Sequence, residues 1–256
     1  MYIFWKYTVI TLLCLAVATL FNLPLQHVLP YVQLPPSMQL AGADGTVLEG
    51  KVSELKINEF PLRKIRYRYL PSCIPMLKIC YHVVYNRGEM RLAYDLLNGD
   101  SEVSRSEIEY PVADLHKLLP VEVPTIPTGR LQLRIDDLSM QADKMVSING
   151  RLIWSDLGLN DRVNIHVGDY QVDFRGDPQS YEFIFSDLDA ALDVKGDGQI
   201  SADGLYQVEV TIENDTGIEP QVKSVLNLVA TRAGVNKYRI KKKGRLSSDV
   251  KRQLFR

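Results

Sequence analysis

The side chains of this chain with a capacity for chemistry are few and scattered. Its four histidines are His27, His82, His116 and His166. No two stand three or four residues apart, so no helical turn can offer a pair to one metal ion. His82 and His166 fall on alternating segments, where a packed or hydrogen-bonded ring is the expectation. Ser53-Glu54-Leu55-Lys56 fits S-x-x-K, yet the companion motifs that make the pattern catalytic are missing. Residues 193–201, DVKGDGQIS, echo a calcium loop, with Asp193 and Asp197 at positions one and five and Gly198 at six. Lys195 at position three and Gly204 at position twelve break that pattern, so the segment reads as a tight β-turn. GxSxG, HExxH, P-loop and GxGxxG are absent. The expectation is no catalytic residue, no cofactor and no metal. Asn214-Asp215-Thr216 has the form of a glycosylation sequon.

Three cysteines remain, Cys14, Cys73 and Cys80. In an oxidising compartment the last two can form a disulfide. Within one strand, residues seven apart lie about 23 Å from one another and face opposite sides. A Cys73–Cys80 bridge therefore needs a bend between them, which Pro75 allows. Two buried free thiols are the other arrangement.

The element that places everything else is the run YTVITLLCLAVATLFNLPL, residues 7–25. At about 1.5 Å per residue it matches a hydrocarbon core of roughly 30 Å as a helix. Lys6 and the amino terminus precede it, and no Lys or Arg follows until Lys51. Positive charge stays inside, so residues 1–6 are expected in the cytoplasm and the body beyond the membrane. Ala16-Val17-Ala18 offers a signal-peptide cleavage pattern as the alternative, but the apolar stretch continues past it through Leu20, Phe21 and Leu23. Leu13 before Cys14 argues against a lipobox.

The 256 residues are 46% hydrophobic and 24% charged, with a net charge of −1. That is a globular balance, and nucleic acid is not an expected partner. Nine of the 30 basic residues fall between Lys237 and Arg256, against one acid, which leaves residues 1–236 with a net charge of −9. The basic end reads as a solvated strand edge and tail, with anionic lipid or an acidic partner as the alternative.

The body reads as a succession of strands. In 62–70, LRKIRYRYL, Ile65, Tyr67 and Tyr69 alternate with Arg66 and Arg68, the period of a half-buried strand. Segments 79–85 and 89–97 flank Asn86-Arg87-Gly88, a hairpin turn. Further strands are expected at 129–135, 147–154, 162–167, 170–174, 181–185, 190–194, 205–212, 224–231 and 237–243. Turns are placed at Gly168-Asp169, Gly176-Asp177-Pro178, Gly196-Asp197-Gly198, Asp203-Gly204 and Asp215-Thr216-Gly217. Links this short imply antiparallel pairing of chain neighbours. One interior helix is expected over roughly 111–119, before Pro120, Pro124 and Pro127. The expected fold is mainly β: an anchor at 7–25, a β half at 26–112, a short helix and Pro-rich link at 113–127, a second β half of similar short alternating strands at 128–246, and a basic tail at 247–256. Its elongated antiparallel meander or curved sheet must curl, meet a second sheet or leave an apolar groove.

After the anchor come Leu34-Pro35-Pro36, Gly42, Gly45-Thr46 and Gly50. Later come Asp114-Leu115, Leu118-Leu119-Pro120, Gly150-Arg151-Leu152-Ile153-Trp154, Gly168-Asp169-Tyr170 and Gly244-Arg245-Leu246. In this order and spacing, over about residues 8–246, the chain resembles the type II secretion system protein N family (general secretion pathway protein N). A Trp common in the family near Leu48 is absent, and Cys73, Cys80 and the basic residues after Leu246 look particular to this chain. The resemblance implies a single-pass protein of the Gram-negative inner membrane with a periplasmic body. It implies a non-enzymatic accessory role in type II secretion, through contacts with other inner-membrane components of the apparatus. The family is distantly similar to AsmA-like proteins, which build elongated β grooves linked to lipid transfer. A β groove handling lipid between membranes is therefore the second expectation.

Overall fold

The computed structural model describes residues 5–8, 11–12, 15, 19, 22–31, 38–57, 60–112, 126–141, 144–160, 164–214, 217–218 and 220–247. The chain clusters into two compact units, Met1–Leu96 and Leu97–Arg256. Most of the expected anchor at 7–25 lies outside the described residues, and among the described residues no helix is long and apolar enough to cross a membrane. The helix expected at 111–119 lies outside them from residue 113 on, its first residue, Pro111, being the last of a strand; most of the Pro-rich link and the tail from residue 248 also lie outside.

The first unit, in which residues 5–8, 11–12, 15 and 19 are helical, has a short helix α1 (Leu25–Val28) and continues as an antiparallel meander. Its strands are β1 (Met38–Gly45), β2 (Glu49–Ile57), β3 (Phe60–Tyr69), β4 (Lys78–Tyr85) and β5 (Gly88–Asp95), and each pairs with the next in sequence. The two-residue link after Tyr85 is the expected hairpin, with Asn86 Oδ1 accepting from Arg63 N at 3.2 Å. Sequence reading missed β1 and β2, whose Gly, Ala and Ser residues dilute the alternation.

The second unit continues the pattern with β6 (Ser101–Pro111), β7 (Ile126–Gln141), β8 (Lys144–Asn160), β9 (Asn164–Gly176), β10 (Ser180–Ala190), β11 (Asp193–Ser201) and β12 (Leu205–Glu213). Helix α2 (Pro220–Val229), the two-residue β13 (Thr231–Arg232) and β14 (Lys237–Arg245) follow. Strands β6 to β12 lie in chain order, then β14 and the edge piece β13.

Three expectations are corrected. Residues 193–201 form β11, not a turn. Val194, Gly196, Gly198 and Ile200 share one face there, and the glycines leave room for large neighbours: a Cβ on Gly196 would meet Val210 Cα at 2.8 Å. Gly168-Asp169 lies inside β9, so the two short strands expected at 162–167 and 170–174 are one strand. Gly168 has φ +115 and sits at a register shift against β8, a bulge that bends the strand without ending it. Segment 224–231 is mostly helix α2, not a strand. Pro220 suits the first turn of a helix, and Val222, Leu226 and Ala230 recur every four residues. The β-branched residues suggested a strand, but that spacing prevails because this face has a core to cover.

Candidate functional site

Cross-strand register sorts the second unit into two unlike faces. One row runs Ile108, Leu133, Leu152, Val172, Phe185, Gly196, Val210 and Ile240 across β6 to β12 and β14. The neighbouring row, pointing the other way, runs Glu107, Arg134, Arg151, Asp173, Ile184, Asp197, Glu209 and Lys241. One face is therefore mainly apolar and the other mainly charged and polar.

Helix α2 covers one end of the apolar face. Leu226 and Ile218, each 7% exposed, pack with Val167, Leu192, Val210, Ile212 and Tyr238, the last only 1% exposed. Tyr170 lies beside this cluster, and burial, then the charge of Asp187, push its hydroxyl up to about 12. Over β6 to β8 no described element covers the same face, and Leu131, Leu133, Leu152 and Trp154 are only half-buried. Trp154 fixes its ring by donating Nε1–H to Thr128 O at 3.0 Å.

The charged face is a lattice of exposed pairs. Arg134 meets Glu107 at 3.8 Å and Arg151 meets Asp173 at 3.5 Å. Lys237 holds Glu213 at 2.7 Å, while Lys241 and Arg239 hold Glu209 at 2.9 and 3.7 Å. Hydrogen bonds from Lys237 and Lys241 keep both glutamates below the usual carboxylate range. The acids of the calcium-loop echo belong to this face: Asp197 stands opposite Glu209 and Asp193 opposite Glu213.

The first unit repeats the division. Val52 pairs with Ile65, and Tyr67 with Val83, on the apolar side. Tyr81 meets Tyr67 and Tyr69 edge to face at 6.0 and 5.8 Å between ring centroids. The Tyr67 hydroxyl donates to Thr46 O and that of Tyr81 to Val47 O at 3.1 Å, which fastens the β1–β2 turn. Burial raises both hydroxyls above the ordinary tyrosine range. The charged side holds an open cleft of about 440 Å³ at that turn, lined among others by Asp44, Glu49, Lys51, Arg66, Arg68 and His82.

Among the described residues, the histidines and Ser53 singled out from sequence do not converge. His82 pairs with Glu89 at 3.1 Å on the exposed face. His27 is exposed in α1, while His116 and the His166 side chain lie outside the described residues. Ser53 and Lys56 are three apart in β2 and so face opposite ways. Ser53 Oγ donates to Gly42 O at 3.3 Å. Asn214 donates its side-chain amide to Ala191 O, and Asp215 and Thr216 lie outside the described residues. Cys73 and Cys80 are joined in a disulfide with 6.0 Å between Cα atoms. Pro75 lies in the 3-10 turn Pro71–Met76, and Leu77, at φ +55, turns the chain back into β4. No three His, Cys, Asp or Glu side chains converge as a metal site among the described residues.

The fold and the described side chains define a class: a two-faced antiparallel β meander whose charged side chains are spread over one face. The model of the family "Type II secretion system (T2SS), protein N" matches residues 36–241. The chain belongs to that family and takes part in type II secretion. No curated protein and no solved structure gives a significant match.

Proposed function

We propose that this protein is a non-enzymatic accessory component of the type II secretion apparatus, held in the inner membrane by residues 7–25. Its amino terminus is cytoplasmic and its β body periplasmic, where it contacts other inner-membrane components. The division of each unit into an apolar and a charged face carries the reading. An exposed lattice of alternating Arg, Lys, Glu and Asp gives orientation and selectivity in protein contacts without needing a catalytic pocket. The Cys73–Cys80 disulfide suits an oxidising compartment.

Crosslinking in living cells, followed by mass spectrometry of captured proteins, tests this. Apparatus subunits should be recovered through β6 to β14. Deleting the gene should lower either secreted protein or the amount of an apparatus subunit, and no change in either sinks the proposal.

The half-buried apolar face over β6 to β8 favours one second reading, a β groove that handles lipid. An acyl chain needs a continuous apolar trough with polar lips, and Leu131, Leu133, Leu152 and Trp154 supply part of one. Purified full-length protein should then carry acyl chains that organic solvent extracts. Recovery of no lipid would exclude this reading and leave the first intact.

A further inference from the structure

The cleft at the β1–β2 turn holds two cations side by side. Lys51 on β2 stands directly opposite Arg66 on β3. Like charges in this position repel, and neither makes an ion pair with a carboxylate among the described residues. Their neighbours are paired: Arg68 with Glu49 at 3.4 Å, Arg63 with Glu54 at 3.8 Å, His82 with Glu89 at 3.1 Å. Asp44, opposite Lys51 on the other side, turns Oδ1 to Gly45 N at 2.9 Å. Two cations thus face one open cleft without a direct ion pair among the described residues, against the one carboxylate of Asp44 that is not held by an arginine.

The location of the cleft narrows what it binds. Pro24, at the end of the apolar run, forms an antiparallel bridge with Thr46 in the β1–β2 turn. Thr46 N in turn bonds Glu49 O at 2.9 Å, and Lys51 is two residues, about 7 Å, further along the strand. If residues 7–25 cross the membrane, the turn sits at the headgroup layer and Lys51 and Arg66 lie within reach of it. Tyr67, which also lines the cleft, and Tyr81 hold the turn by their hydroxyls, so the cations are presented on a fastened support.

We infer that this cleft binds the phosphate of an anionic phospholipid headgroup, with the Arg66 guanidinium gripping the two non-bridging oxygens and the Lys51 ammonium sharing one of them. The inference rests on the anchored reading above and adds a ligand to it. Bound there, the lipid fixes the angle at which the first unit leaves the membrane.

The test is native mass spectrometry of the full chain in neutral detergent, titrated with phosphatidylglycerol or phosphatidylcholine. Phosphatidylglycerol should be retained at least about tenfold better. Arg66→Glu should lower that retention about thirtyfold, since it changes two charges at about fivefold each. This variant gains an opposite-charge pair with Lys51, so the sheet is kept, and Arg66→Gln gives an intermediate loss. Equal retention of both lipids, or an unchanged Arg66→Glu, overturns the inference. So does displacement of the lipid by equimolar inorganic phosphate, which would mark a site for free phosphate. Alkaline extraction of cell membranes reads the anchor separately. Protein that stays in the membrane but shows no lipid preference defeats only the headgroup inference. Protein stripped by alkali defeats the anchor and this inference with it.

Discussion

Backbone strain at single residues has opposite signs at two places in the first unit. Gly45 has φ +105, and a Cβ there would meet Glu49 O at 2.6 Å. Gly45→Ala should cost about 1–3 kcal/mol, read as a lower unfolding midpoint. Lys64 holds φ +55 with an exposed side chain. Lys64→Gly should relieve that strain and raise the midpoint, by up to about 1 kcal/mol once the greater freedom of unfolded glycine is subtracted. A fall in stability would show that this position holds Lys without strain. Tyr170 gives a pH signature. Its hydroxyl is raised to about 12, chiefly by burial. The folded state thus favours the protonated ring, so this contribution is complete below pH 10 and is lost as pH rises toward 12. Tyrosinate absorbance should show one late step that Tyr170→Phe removes. Little of this was legible beforehand: a positive φ within a strand depends on how two strands meet, and the residue alone does not announce it.

Among elements, α2 decides whether the apolar face is a core or a surface. Leu226 anchors it on Val210, Ile212 and Tyr238. Leu226→Ala should cost about 2–4 kcal/mol and speed hydrogen exchange in β12 and β14, where its contacts lie. Exchange in β6 and β7 should stay as it was. An even loss of protection throughout the second unit would mean that α2 braces more than the end it covers. The lattice of Glu209, Glu213, Lys237 and Lys241 behaves differently, because all four are on the solvent side. Both glutamates titrate below their ordinary range. Their contribution is therefore complete above about pH 4.3 and is lost as pH falls through the lowered values. High salt should weaken it as well.

At the scale of the molecule, the chain is two compact units, each a meander of chain neighbours. The Cys73–Cys80 disulfide lies wholly in the first. Closing so short a loop is worth roughly 2–3 kcal/mol. Reduction should accelerate exchange in β3 to β5 and leave β7 to β10 unchanged, and equal acceleration of both would show that the two units unfold together. Alkylation of unreduced protein should modify neither cysteine.

The sequence by itself determined the β character, the antiparallel pairing of neighbours and the family. Alternation and short links are local properties, and a meander uses little else. Tyr67, Arg68 and the hairpin at Asn86 were readable for that reason. Tertiary structure alone decided that Gly196 and Gly198 lie in a strand, because their use is to make room beneath Phe185 and Val210. It alone turned 224–231 into a helix, since that choice depends on an apolar face built from strands distant in sequence. It also set Lys51 against Arg66, fifteen residues apart in the chain yet opposite in register. Shifting a strand by one residue exchanges its two faces, so which charges meet is decided by pairing between strands. No run of residues along one strand contains that information.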